Sequence, residues 1–239
     1  MQLHIFSTAS EMTHAVADWL VNYVAQVLQS QERFTLALSG GSTPKALHKL
    51  LAAPPYRDRI AWNRLHIFWG DERYVPFADE QNNARMAYDT LLNHVPVPDP
   101  HIHVMRTDVP PERSAADYGK ILHQYFDGHN HTFDLVLLGM GDDGHTLSLF
   151  PETEVIGEKT AWVKSLYLEK QRMYRITLTT PVINRAACVA FLVSGEGKAA
   201  TLNEVLNGPY RPEQFPAQSI QPENGQLIWF VDEAAAQHL

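Results

Sequence analysis

The stretch Asp134–Pro151, DLVLLGMGDDGHTLSLFP, decides how the chain is read. Asp134 to Leu138 is a short, nearly continuous apolar run, the pattern of a strand buried on both faces of a parallel sheet. Gly139, Gly141 and Gly144 follow it, and glycine lets backbone turn sharply and pass close to a ligand. Among them stand Asp142, Asp143 and His145. A histidine trades protons readily near neutral pH, and a nearby carboxylate fixes its tautomer. On its own, Asp-Gly-His reads as a polar turn. At the C-terminal end of a buried strand it falls where open α/β sheets bind their ligands.

Three further junctions repeat this arrangement. Phe34 to Leu38 predicts a strand, followed by SGGSTPKAL (Ser39 to Leu47). Gly40 and Gly41 supply a tight turn, Ser42 and Thr43 cap a helix, and Pro44 suits its first turn. A glycine turn opening into a helix N-terminus presents unpaired N–H groups to a phosphate. Neither a Walker A loop nor a serine acyl-enzyme is indicated: the glycine before Lys45 is misplaced, and the companions of the Ser42–Lys45 spacing are missing. Leu65 to Trp69 is a third strand, ending in GDERYVP (Gly70 to Pro76), with Asp71, Glu72 and Arg73 just past its end. Cys188 to Val193 is a fourth, followed by SGEGKAATLNEVL (Ser194 to Leu206), where Lys198 enters a helix as a second phosphate cation.

The rest of the chain fills in around these junctions. A strand is expected over Leu3–Phe6 and a helix from the capping pair Thr8 and Glu11 to about Gln29. A helix entered near Asn82 or Asn83 carries Asn83 and Arg85 towards the crevice. A strand is expected over His101–Val104 and a helix over Glu112–Tyr125. Strands are expected over Thr160–Leu166 and Tyr174–Leu178, the second carrying Arg175, and a last one over Leu227–Val231. Alternating strands and helices predict one α/β domain over residues 1–239, a Rossmann-like, mainly parallel sheet flanked by helices.

Composition narrows the function. The net charge is −8, from 19 basic and 27 acidic residues, which argues against nucleic acid or an anionic membrane as partner. An anionic ligand must be held by a local cluster of cations. The one cysteine, Cys188, lies in an apolar run and reads as packing. The pairs His101/His103 and His129/His131 read as solvent-facing, and no metal site is expected. The N-terminus lacks signal-peptide character and no stretch is long enough to span a membrane, so a soluble cytoplasmic protein is expected.

Right-handed crossovers gather the four turns at one sheet edge. There Gly40 to Thr43, Arg175 and Lys198 can hold a phosphate, Asp143 and His145 can handle protons, and Asp71, Glu72 and Arg73 can line the pocket. No acyl nucleophile is evident, so water activated by His145 fits better than a covalent route.

This set of motifs resembles the 6-phosphogluconolactonase family from about Leu36 to Gly208. The matching pieces are GGSTP (Gly40 to Pro44), GDERYVP, Asn83 with Met86, GMGDDGHTLSLFP (Gly139 to Pro151), RITLT (Arg175 to Thr179) and GEGKA (Gly195 to Ala199). Three departures stand out: Leu147 where alanine is usual, Asn82 for serine, and no proline in Gln171 to Tyr174. The resemblance implies the fold shared with glucosamine-6-phosphate deaminases and ribose-5-phosphate isomerases. It also implies cofactor-free hydrolysis of 6-phosphoglucono-δ-lactone, with no obligate protein partner. In that reading the phosphate sits on Gly41, Ser42 and Thr43 against Arg175 and Lys198. His145, oriented by Asp143, activates water, and Arg73 or a backbone N–H stabilises the oxyanion. The rival readings are an amino-sugar-phosphate deaminase and a non-catalytic sugar-phosphate sensor.

Overall fold

The runs Phe34–Leu38 and Cys188–Val193 are buried at every position, as strands covered on both faces must be. The computed structural model describes all 239 residues. Its elements begin with β1 (Gln2–Phe6), α1 (Ala9–Val27), β2 (Phe34–Leu38), α2 (Ser42–Leu51), β3 (Leu65–Trp69) and β4 (Asp71–Arg73). They continue with α3 (Asn83–Thr90), α4 (Pro111–Phe126), β5 (Leu135–Leu138), β6 (Val163–Leu168) and β7 (Met173–Leu178). Then come α5 (Thr180–Ile183), β8 (Cys188–Val193), α6 (Ala199–Asn207), β9 (Gln226–Asp232) and α7 (Glu233–Ala236).

Six strands make one sheet in the order β1-β9-β8-β5-β2-β3, with every neighbouring pair parallel. Successive residues feed opposite cores. Leu36, Leu38, Leu135, Leu137, Ala190 and Leu192 pack with α1, α2 and α3. Ala37, Val136, Leu138, Val189, Phe191 and Val193 pack with α4 and α6. From β2 the chain steps outward to β3, and from β5 it steps the other way to β8. The crevice between the C-terminal ends of β2 and β5 is therefore the switch point of the sheet, where the turns after them splay apart. Cys188 is fully buried at the start of β8, and burial pushes its thiol up to about 12.

A second, antiparallel sheet has the order β4-β7-β6. Only Gly70 separates β3 from β4, and it belongs to both sheets. Its N–H donates to Leu38 O at 2.9 Å in the large sheet, and its carbonyl accepts from Leu178 N–H at 2.8 Å in the small one.

Four expectations change. Asp71–Arg73 is a strand rather than a charged turn, because it pairs with β7 (Asp71 with Thr177, Glu72 with Ile176, Arg73 with Arg175). His101–Val104 makes only a single bridge, Ile67 to Ile102, since a 3-10 turn entered from Pro98 and containing Pro100 occupies Asp99–His101. The run from Thr160 starts its strand at Val163, because Glu158 Oε1 takes the N–H groups of Lys159, Thr160 and Ala161 at 2.8–2.9 Å and holds them in a turn. His103 does not face solvent: its Nε2 lies 2.8 Å from Tyr125 Oη and its ring stacks on Phe68. His66 shares that hydroxyl through Nδ1, also at 2.8 Å, and burial lowers both histidines to about 4. No three His, Cys, Asp or Glu side chains converge as a metal-ligand set. No helix is long and apolar enough to cross a membrane.

Candidate active site

The turn after β2 opens the cleft. Gly41 has φ 105° and ψ 175°, a conformation that favours glycine, and it leads into α2, whose first turn has no side-chain cap. The leading N–H groups of Ser42 and Thr43 are thus left for a ligand. Thr43 Oγ1 lies 3.0 Å from Ser194 Oγ, joining this turn to the one after β8. A Cβ on Gly40 would sit 2.0 Å from Asn83 Oδ1, so α3 can approach only a glycine here.

The loop after β5 sets the histidine. His145 Nδ1 is 2.5 Å from Asp143 Oδ1, and the same oxygen accepts the His145 backbone N–H at 3.1 Å. The ring stacks on Phe150 with centroids 4.1 Å apart. Burial pushes the Asp143 carboxyl up, but the hydrogen bond and charge of His145 outweigh it and hold the group at about 2. A permanently ionised Asp143 keeps the proton on Nδ1 and leaves Nε2 as the basic atom. Gly141 is packed beneath the pair: a Cβ there would lie 2.0 Å from Nδ1 of His145. Leu147 adopts a left-handed φ of 55° and lays its side chain over Gly70, where a Cβ would meet its Cδ2 at 2.5 Å.

The small sheet supplies the facing wall. Asp71, Arg73 and Arg175 line the cleft, with Arg73 and Arg175 directly across from one another on β4 and β7. Asp71 Oδ2 accepts from Ser148 Oγ at 2.6 Å and lies 3.8 Å from Arg175 Nη1. Burial lowers the pKa of Arg175, opposed by Asp71 and reinforced by Arg73. Its Nε is buried without a partner. Glu72, expected in the pocket, points the other way because side chains alternate along a strand. It is fully buried, and it accepts the N–H groups of Arg73, Asn83 and Ala84 at 2.7–2.8 Å, fastening the start of α3 to β4. Burial pushes it up to about 7 against the pull of those three donors. Asn83 does reach the cleft, but its Nδ2 is committed to Asp71 O at 3.0 Å.

Lys198 closes the fourth side, ion-paired to the exposed carboxylate of Asp142. The cleft, of about 320 Å³, is lined by Gly40, Gly41, Ser42, Thr43, Asp71, Arg73, Asn83, His145, Arg175 and Lys198, so the four turns do converge. Asp143 stands behind His145 and does not line it. Gln171, Phe150 and Ser194 also line it and were not singled out from sequence. Of these, only Phe150 carried a signal, as part of the Leu149-Phe150-Pro151 tail of the glycine loop.

The profile of the family described as glucosamine-6-phosphate isomerases/6-phosphogluconolactonase matches residues 7–229. The chain is 41% identical over 222 residues to a 6-phosphogluconolactonase of Synechocystis sp., covering 90% of this chain and 89% of the relative. The crystal structure of 6-phosphogluconolactonase from Thermotoga maritima superimposes with a TM-score of 0.84 at 28% identity, over 97% of this chain and 99% of that one. A monomeric glucosamine-6-phosphate deaminase superimposes with a TM-score of 0.85 over both whole chains at 18% identity, which shows a common fold and no more. With the glycine turn, the Asp-Gly-His loop and the two cations meeting in one cleft, the chain belongs to the glucosamine-6-phosphate isomerase/6-phosphogluconolactonase family.

Proposed function

We propose that the protein hydrolyses 6-phosphoglucono-δ-lactone to 6-phosphogluconate. The observation that carries the reading is the His145–Asp143 pair at 2.5 Å, opening onto a cleft that also holds Arg73, Arg175, Lys198 and the α2 N-terminus. The phosphate docks on Gly41, Ser42 and Thr43, with Arg175 and Lys198 as counter-charges. His145 Nε2 takes a proton from water as its oxygen bonds to the lactone carbonyl carbon. The bond from that carbon to the ring oxygen then breaks, and the imidazolium returns the proton to the departing oxygen. Arg73 keeps guanidinium N–H groups free beyond its bond to Gln81 O at 3.0 Å, and one of them steadies the oxyanion.

An amino-sugar-phosphate deaminase is the less supported reading. Aldose–ketose isomerisation needs a second base beside a carbon acid. The two nearby acids are engaged elsewhere: Asp71 with Ser148 and Arg175, Glu72 with three backbone donors. Purified protein should accelerate proton release from fresh lactone above the spontaneous blank and release no ammonia from glucosamine 6-phosphate. The reverse pattern sinks the lactonase reading.

A further inference from the structure

We infer that Gln171 reads the substrate directly: its amide N–H groups bind an oxygen of the phosphorylated sugar while its amide oxygen holds Arg175. This rests on the lactonase reading above and extends it to a residue outside the recognised motifs. β6 and β7 stay paired as far as Leu168 and Met173, so Glu169–Arg172 form the connecting turn. Arg172 takes a left-handed φ of 50°, and the turn folds Gln171 back over the cleft that Arg175 lines.

The amide orientation follows from chemistry. Arginine has donors only, so the Gln171 atom 2.5 Å from Arg175 Nη2 is the oxygen Oε1. That turns Nε2 and its two N–H groups away from Arg175 into the open mouth of the cleft, where Gln171 is exposed and water is their only partner before a ligand binds. The same corner holds the orphaned Nε of Arg175, a residue only 7% exposed, with Arg73 across the strand pair. Donors crowd this corner and Asp71 is its one carboxylate, already bonded to Ser148. A ligand rich in acceptor oxygens completes it, which is what a sugar phosphate is.

Two substitutions separate reading from mere support. Gln171→Glu keeps an acceptor for Arg175 but removes the donors and adds a negative charge; Gln171→Ala removes donor and acceptor without adding charge. With kcat within about threefold of wild type, KM for the lactone should rise roughly 10-fold or more in Gln171→Glu and several-fold in Gln171→Ala, as for lost hydrogen bonds to a charged group. Calorimetric affinity for 6-phosphogluconate should weaken in the same order. Because the new carboxylate also repels the phosphate, both variants are compared with wild type at low and high salt, which screens that repulsion but not a lost hydrogen bond. If Gln171 only anchors Arg175, Gln171→Glu returns to wild-type KM and product affinity at high salt, and the inference is overturned. A fall in kcat at unchanged KM overturns it too. Wild-type protein without lactonase activity is a separate result that removes the functional reading instead.

Discussion

Asp134, the residue just before β5, and Thr35 of β2 close a ring of three hydrogen bonds. Asp134 Oδ2 accepts from the Thr35 N–H at 2.7 Å and from Thr35 Oγ1 at 2.8 Å, while Thr35 Oγ1 accepts from the Asp134 N–H at 2.9 Å. Both residues are buried, at the strand ends opposite the cleft. Thr35→Val preserves the shape but leaves a buried carboxylate oxygen and an N–H short of partners, an expected cost of about 1–3 kcal/mol. Calorimetry should show Tm falling by roughly 2–4 °C for each kcal/mol. The folded enzyme should keep its kcat/KM, because no cleft residue is touched.

His145→Ala should lower kcat by roughly 10²–10⁴-fold, measured against a spontaneous-hydrolysis blank. Asp143→Asn retains a partner for the ring but not the charge. Its kcat should fall less than that of His145→Ala, because the ring keeps a partner that orients it but loses the charge that steadies the imidazolium formed in the reaction. A variant with full activity at His145→Ala would falsify the water-activation step.

Gly141 tests geometry without altering a functional group. Gly141→Ala forces the His145 ring aside, because the new methyl lies 2.0 Å from Nδ1. A displacement near 1 Å at a catalytic group is expected to cost about 10²-fold in kcat. Circular dichroism and Tm close to wild type would confine the effect to the site.

Lys198 is paired to Asp142, so in the proposed role as phosphate cation it exchanges one anion for another. Asp142 is mostly exposed, so its own loss should hardly disturb the fold. Asp142→Asn is expected to lower KM about two- to fivefold, since surface pairs are worth about 1 kcal/mol or less. Lys198→Ala should raise KM with little change in kcat. Equal KM values for wild type and Asp142→Asn would mean that Asp142 does not compete for the cation.

Acid should destabilise the fold before it titrates ordinary carboxylates. Burial lowers His48, His66 and His103 from 6.5 to about 4. Between these values the unfolded chain binds protons that the native protein refuses, so stability is full above about pH 6.5 and falls as pH drops towards 4. For fully buried His48 alone that window corresponds to about 3 kcal/mol. Glu72, raised to about 7, works in the opposite sense and is a single group. Thermal melts should show Tm lower at pH 4.5 than at pH 7, and His48→Gln should flatten part of that slope.

The central strands were readable because double-sided burial leaves an unbroken apolar run, as in Phe34–Leu38 and Cys188–Val193. β4 was not, since three charged residues form a strand only through their pairing with β7, which no local pattern announces. That misreading put Glu72 in the pocket. Read as a strand, the same tripeptide sends Asp71 and Arg73 one way and Glu72 the other. His145 and Asp143 were legible because their partnership is local, two residues apart. Gln171 was not, because its reach into the cleft depends on the left-handed turn at Arg172 and on where β7 sets Arg175, and a Glu-Lys-Gln-Arg run announces neither.

Gly70 carries a consequence for how such an enzyme can change over generations. His145 stands on the loop after β5 of the large sheet and Arg73 and Arg175 on the small one, with Gly70 the sole covalent step between β3 and β4. Under the proposed function, substitutions in the β6–β7 turn, which bonds to Arg175 and not to the histidine loop, can therefore retune which phosphorylated sugar is accepted while His145 and Asp143 stay in register. The fold separates chemistry from taste, which gives one scaffold room for several sugar phosphates.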